Sequence, residues 1–151
     1  MEKVWIYQSN RNLSATEVES IKQEGEEFVD RWAAHKKQLT ASFDVLYNRF
    51  LVVKVDESLV SASGCSIDES VRFVKSLETK YNINLFDRML MTYLSDNESV
   101  ESATLQEISD LYSTGKLKDD TLIFNNLVQN STQMTESWKI PFSKSGFANF
   151  K

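Results

Sequence analysis

The chain has 151 residues, 17 Lys and Arg against 22 Asp and Glu, a formal net charge of −5, and 41% hydrophobic residues. That length suits one domain, able to bury roughly 68–70% of its unfolded surface. With only 4 Gly, 1 Pro, 1 Cys and 1 His, the composition excludes an intrachain disulfide framework, a Cys/His zinc cage and a glycine-rich nucleotide fingerprint.

The elements follow in order. Lys3 to Gln8 (KVWIYQ) reads as a strand of β-branched and aromatic residues, and Ser9 to Asn12 as a turn. Ser14 and Glu17 form a capping box, with Leu13 and Val18 placed as its hydrophobic staple. The helix that follows aligns Val18, Ile21, Gly25, Phe28, Val29 and Trp32 on one stripe and is expected to fade near Lys37. Gly25 within that stripe implies close approach of another backbone. Ser42 to Tyr47 and Phe50 to Val55 read as a hairpin turning at Asn48-Arg49. Ser66 and Glu69 form a second capping box, opening a helix that ends near Tyr81-Asn82. Leu85 to Leu94 alternates as a strand, and Thr104 with Glu107 caps a short helix stopped by Gly115. Thr121 to Val128 is a last strand, followed by a tail bearing Trp138, Pro141, Phe142, Phe147 and Phe150.

This order predicts an α+β fold: a ferredoxin-like βαββαβ core over 1–94, with an α-β extension and aromatic C-terminal tail over 95–151, in a single domain. Val4 and Ile6 are expected to face the helices, leaving Trp5, Tyr7, Phe50 and Val52 on the opposite sheet face. Such a patch needs a cover. Either the extension supplies it, or a second copy does, as a homodimer through the sheet face.

The N-terminus lacks a signal layout and no apolar run nears 18 residues, so no membrane partner and a cytoplasmic location are expected, with the lone Cys65 reduced. Basic residues are scattered, and 96–110 holds five acids without one Lys or Arg. That pattern argues against nucleic acid. No metal site and no cofactor are indicated.

Candidate chemistry centres on 63–68. Gly64, Cys65, Ser66 and Asp68 stand at a capped helix start, where amide groups and the helix dipole favour an anion and raise the thiolate fraction of a cysteine. The plainer alternative is that Ser66 only caps and Cys65 packs as a small hydrophobe. His35, the sole histidine, falls in the last turn of the first helix, where it either caps or assists Cys65. Asp87-Arg88 and Arg49 suggest an Asp–Arg clasp or a carboxylate ligand site. Asn125-Asn126 in an apolar strand implies a buried amide with specific partners, structural or ligand-binding. These residues suit a binding or interaction protein; the alternative is a small thiol-dependent enzyme using Cys65 with His35 or Asp68.

The segments VWIYQSN (4–10), YNRFLVVKVDE (47–57), SGCSIDESVRFVK (63–75), LFDR (85–88) and FNNLV (124–128) resemble a bacterial family found mainly in the Bacteroidetes lineage, whose members often carry the label "ABC transporter ATPase". An ATPase of that kind needs a phosphate-cradling loop, and Gly115-Lys116 has no Gly five residues before it. G-x-S-x-G and H-E-x-x-H are absent as well. The resemblance therefore assigns no catalytic residue.

Overall fold

The computed structural model describes residues 2–151. Strand β1 (Glu2–Gln8) comes first, and apart from the exposed Lys3 its residues are buried or half-buried on both faces. Helix α1 (Ala15–Arg31) starts on the expected box: the Ser14 hydroxyl accepts from the Glu17 amide at 3.1 Å, and Glu17 accepts from the Ser14 amide at 2.9 Å. It stops six residues short of Lys37. Trp32 turns extended and is fully buried, donating its indole N–H to the Ser66 carbonyl at 2.8 Å. Short strands β2 (Ala33–Ala34) and β3 (Lys37–Gln38) follow, joined through His35 and Lys36 at φ 51 and 67. His35 therefore occupies an exposed hairpin turn, not a helix end.

Strands β4 (Thr40–Leu46) and β5 (Phe50–Asp56) form the expected hairpin. Its left-handed residues are Tyr47 and Asn48, at φ 56 and 54, one position earlier than expected. The sheet order is β1-β5-β4, with Glu2 opposite Asp56 and Gln8 opposite Phe50. Helix α2 (Gly64–Tyr81) packs with α1 on one face of this sheet. Asn82 closes it in the left-handed conformation, at φ 51.

The next strand departs from a ferredoxin-like arrangement, which would lay it beside β1. Only Met91–Leu94 (β6) is strand, and it joins β7 (Val100–Ala103), β8 (Leu122–Phe124) and β9 (Lys139–Pro141) in a second sheet ordered β7-β6-β8-β9. Residues 83–90 are instead a loop, tied down by side-chain bonds described below. Helix α3 (Leu105–Ser113) follows β7, with Glu107 accepting from the Thr104 amide at 2.9 Å and Gly115 at φ 80 just past its end. Helix α4 (Ser131–Ser137) separates β8 from β9, and the chain closes in two 3₁₀ turns, 142–144 and 146–150. Mixed helices and sheets make this an α+β fold. Among the described residues no helix is long and apolar enough to cross a membrane.

The faces of β1 are the reverse of the expected ones. Trp5 and Tyr7 pack towards the helices, Trp5 edge-on to Trp32 with centroids 6.4 Å apart. Val4 and Ile6 turn the other way, with Phe50 and Val52, onto Val100, Phe124, Val128 and Trp138 of the extension. The chain thus covers its own second sheet face. Phe50, Phe124 and Trp138 meet with centroids 4.6 to 5.3 Å apart, in the tilted and edge-on geometries aromatic quadrupoles favour.

What approaches Gly25 is a side chain, not a backbone. A Cβ there would lie 2.0 Å from Phe43 Cδ1 and 2.3 Å from its Cγ, on β4. Gly25→Ala should therefore lose stability by about 1–3 kcal/mol through overpacking, despite its better helix propensity. Chemical denaturation showing an unchanged or higher midpoint would contradict this packing.

Arg11 grips Glu17 through two bonds, 2.9 and 2.8 Å, and reaches the Tyr81 carbonyl at 2.9 Å, so the start of α1 is joined to the end of α2. The guanidinium, helped by the Ser14 amide, holds the Glu17 carboxyl at about 2, against 4.5 for an ordinary Glu. A depressed carboxyl stabilises the fold above its unfolded value and loses that contribution as pH falls towards the folded one. Between pH 4.5 and 2 the wild type should lose stability more steeply than Glu17→Gln, which keeps the cap but not the charge. Parallel acid titrations of the two proteins measure the difference.

Candidate functional site

A strand at a sheet edge sends alternate amide and carbonyl pairs outward. On β1 the outward residues include Val4, whose N–H reaches the Gln129 carbonyl at 3.0 Å, and Lys3 makes an antiparallel bridge to Asn130. Two residues on, Ile6 points the same way. Among the described residues no hydrogen bond satisfies its outward amide or carbonyl. The segment that pairs with the start of β1 has by then peeled away towards β8.

Gln8 fixes where that gap ends. Its Nε2 donates to the Asp87 carbonyl at 2.9 Å and the Leu90 carbonyl at 2.7 Å. Its Oε1 accepts from the Thr92 hydroxyl and from Asn126 Nδ2, both at 2.9 Å. Asn126 Oδ1 in turn accepts the Trp138 indole N–H at 2.9 Å. One buried amide thereby holds the 85–90 loop, β6 and the chain after β8.

Between these anchors lies a cleft of about 1190 Å³. Trp5 and Tyr7 line it from the helix side of β1, and Val4 and Ile6 from the other. A cavity meets both faces of one strand only along that strand's edge. Ile67 and Val71 of α2 form one wall; Ile123, Leu127 and Val128 form the opposite one, with Phe147 and Phe150 from the tail. Phe86, Met89, Leu127 and Phe150 are 37, 62, 63 and 45% exposed, so large apolar side chains gather at its mouth. Lys3, Arg88 and Lys144 also line it, against one acid, Asp87. Lys3 pairs with Glu57 at 3.3 Å; among the described residues Arg88 and Lys144 have no acidic partner. Burial raises the Tyr7 phenol above its ordinary value, against opposing effects of the Ser70 hydroxyl and the Arg88 charge.

The residues singled out in sequence separate in space. Arg88 and Asn125 line the cleft, while Gly64, Cys65, Ser66, Asp68, His35 and Arg49 do not. Helix α2 starts one turn earlier than the Ser66/Glu69 box implied: Ser63 is the cap, its hydroxyl accepting from the Ser66 amide at 3.1 Å. Ser66, buried beneath Trp32, returns a bond to the Ser63 amide at 2.8 Å. A serine can close the box as glutamate does, which is why the true start was concealed. Cys65 is exposed, and among the described residues no hydrogen bond links it to His35 or Asp68.

Among the described residues neither arginine enters an Asp–Arg clasp. Arg49, 3% exposed, donates to the Ser9 carbonyl at 2.8 Å, Asn12 Oδ1 at 3.1 Å and the Ser102 hydroxyl at 2.7 Å, all neutral. Burial pushes its guanidinium below the usual value. Asp87 accepts from the Met89 amide at 2.9 Å, shaping its own loop. Asn126, not Asn125, is the amide locked at both ends; Asn125 accepts from the Leu127 amide at 3.3 Å. Sequence reading passed over Gln8, Ile6 and Leu127. A glutamine ending an apolar strand and the apolar pairs around 86–90 and 127–128 were the available signals.

Gln8→Leu removes four bonds at once and leaves buried donors and acceptors unpaired, at about 1–3 kcal/mol for each group water cannot reach. We expect a large drop in the urea midpoint and faster amide exchange across 85–90. A midpoint within experimental error of wild type would show that Gln8 is not the anchor.

Comparison with protein-family models, with curated proteins and with solved structures finds no match to the chain.

Proposed function

We propose that the chain is a binding protein acting in the cytoplasm, and that its site is the cleft along the outer edge of β1. One observation carries this reading: exposed Phe86, Met89, Leu127 and Phe150 converge on a cavity that also holds Arg88 and Lys144, which have no acidic partner among the described residues. Monomeric proteins rarely leave contiguous apolar surface open without a use for it, and a concave apolar site with a few fixed polar groups is the usual form of a ligand site. The ligand it suits is apolar and anionic. Burial of apolar surface supplies affinity, and the two cations select the sign of charge. At about 1190 Å³ the cleft exceeds the roughly 300–1,000 Å³ of ordinary small-ligand pockets, which favours an elongated ligand.

The anionic, apolar dye anilinonaphthalene sulfonate tests this directly. It should fluoresce with the folded chain, lose most of that signal with Leu127→Glu, and keep it with Cys65→Ser, which lies outside the cleft. Absence of native-state fluorescence, or its survival in Leu127→Glu, would overturn the reading.

A further inference from the structure

Resting on that reading, we propose that the cleft takes an extended, acidic segment of another polypeptide, which adds as a strand to the outer edge of β1 at Ile6. Among the described residues the outward N–H and C=O of Ile6 are unpaired, and a backbone-like ligand offers an acceptor and a donor at matching spacing. The place is that of a missing strand: β1-β5-β4 is a ferredoxin-like sheet lacking the member that would flank β1, because β6 has joined the other sheet. Chain 129–131 begins to fill it, antiparallel to β1 at Lys3, and leaves before Ile6. The added segment would continue in that direction for about three to four residues before Gln8 ends the edge, given a strand rise of about 3.3 Å per residue.

The cleft also defines the segment's side chains. One face of the new strand meets α2 and Tyr7, the other meets Leu127 and Phe147. A strand buried on both faces carries a continuous apolar run rather than an alternating one. Acidic residues flanking that run would meet Arg88 and Lys144 at the mouth. A second copy of the chain does not fit: its β1 edge is equally recessed, and two recessed edges cannot reach each other in a two-fold contact.

Panning a displayed library of random octapeptides against the immobilised full chain should enrich three or four apolar residues flanked by Asp or Glu. An enriched octapeptide, made synthetically, should slow exchange of the Ile6 amide at least tenfold. N-methylation of alternate residues in one phase should weaken binding at least tenfold, while the opposite phase is tolerated. Arg88→Glu combined with Lys144→Glu, both exposed, should weaken it to a similar degree. No enrichment, basic flanks, or binding without protection of Ile6 would overturn strand addition. If the dye still binds wild type and not Leu127→Glu, the cleft remains a ligand site and only its occupant has been misassigned.

Discussion

A carboxamide has two donor hydrogens and an oxygen that accepts twice, and at Gln8 all four capacities are used inside the protein. The bonds run to the 85–90 loop, to β6 and to the turn after β8, three segments 79 to 118 residues away in sequence. No other side chain of that length serves. Glutamate would offer no donor to the two carbonyls, and asparagine is one methylene shorter. Because the loop is bound at the end of β1 rather than continuing along it, β6 is carried past the first sheet and into the second. The uncovered stretch of β1 lies beside this anchored loop, and the two sheets are joined as well by the shared cluster of Val4, Phe50, Phe124 and Trp138.

An uncovered strand edge is normally a liability, since it templates pairing with other chains. Here the exposure is short and lies at the bottom of a cleft. Its walls come from α2, from 123–128 and from the tail, so a broad or flat partner is excluded while a single extended segment is admitted. The charge at the mouth acts in the same direction. The chain as a whole is at −5, yet the cleft is lined by three cations and one acid, so its local charge is opposite in sign to the net charge.

What sequence revealed was local. The boxes at Ser14 and Thr104, the left-handed close at Asn82 and the stop at Gly115 depend on residues three or four apart, and each appears where expected. The strands β1, β4 and β5 also stand within two residues of where their β-branched, aromatic and alternating residues put them. Three features resisted. The parity of β1 depends on which layer each face meets, and Trp5 faces the helices because Trp32 lies there, 27 positions later in the chain. The length of α1 depends on Trp32 finding the Ser66 carbonyl. The fate of 85–94 depends on Gln8. In each case a long-range contact overrode a good local pattern, and the cleft lies where the last of these contacts acts. For that reason Arg88 and Asn125 could be marked as candidates without revealing what they line.

Arg49 shows how the same scaffold is made rigid enough to hold a site open. Fully sheathed and without a carboxylate, it would be expected to destabilise the fold, since a buried charge needs compensation. Three neutral oxygens supply it, and they belong to the turn after β1, the approach to α1, and β7 of the second sheet. Gln8 at the end of β1 and Arg49 just before β5 thus both tie the first sheet to the second, one by a neutral amide and one by a charge spread over a planar group. The Phe50–Phe124–Trp138 contacts fill the space between. A cleft bounded by such fixed supports loses little conformational freedom when a ligand enters, so most of the ordering penalty falls on the ligand. An extended segment is the form of ligand for which that asymmetry matters most, because the edge it joins is already set at strand geometry along β1.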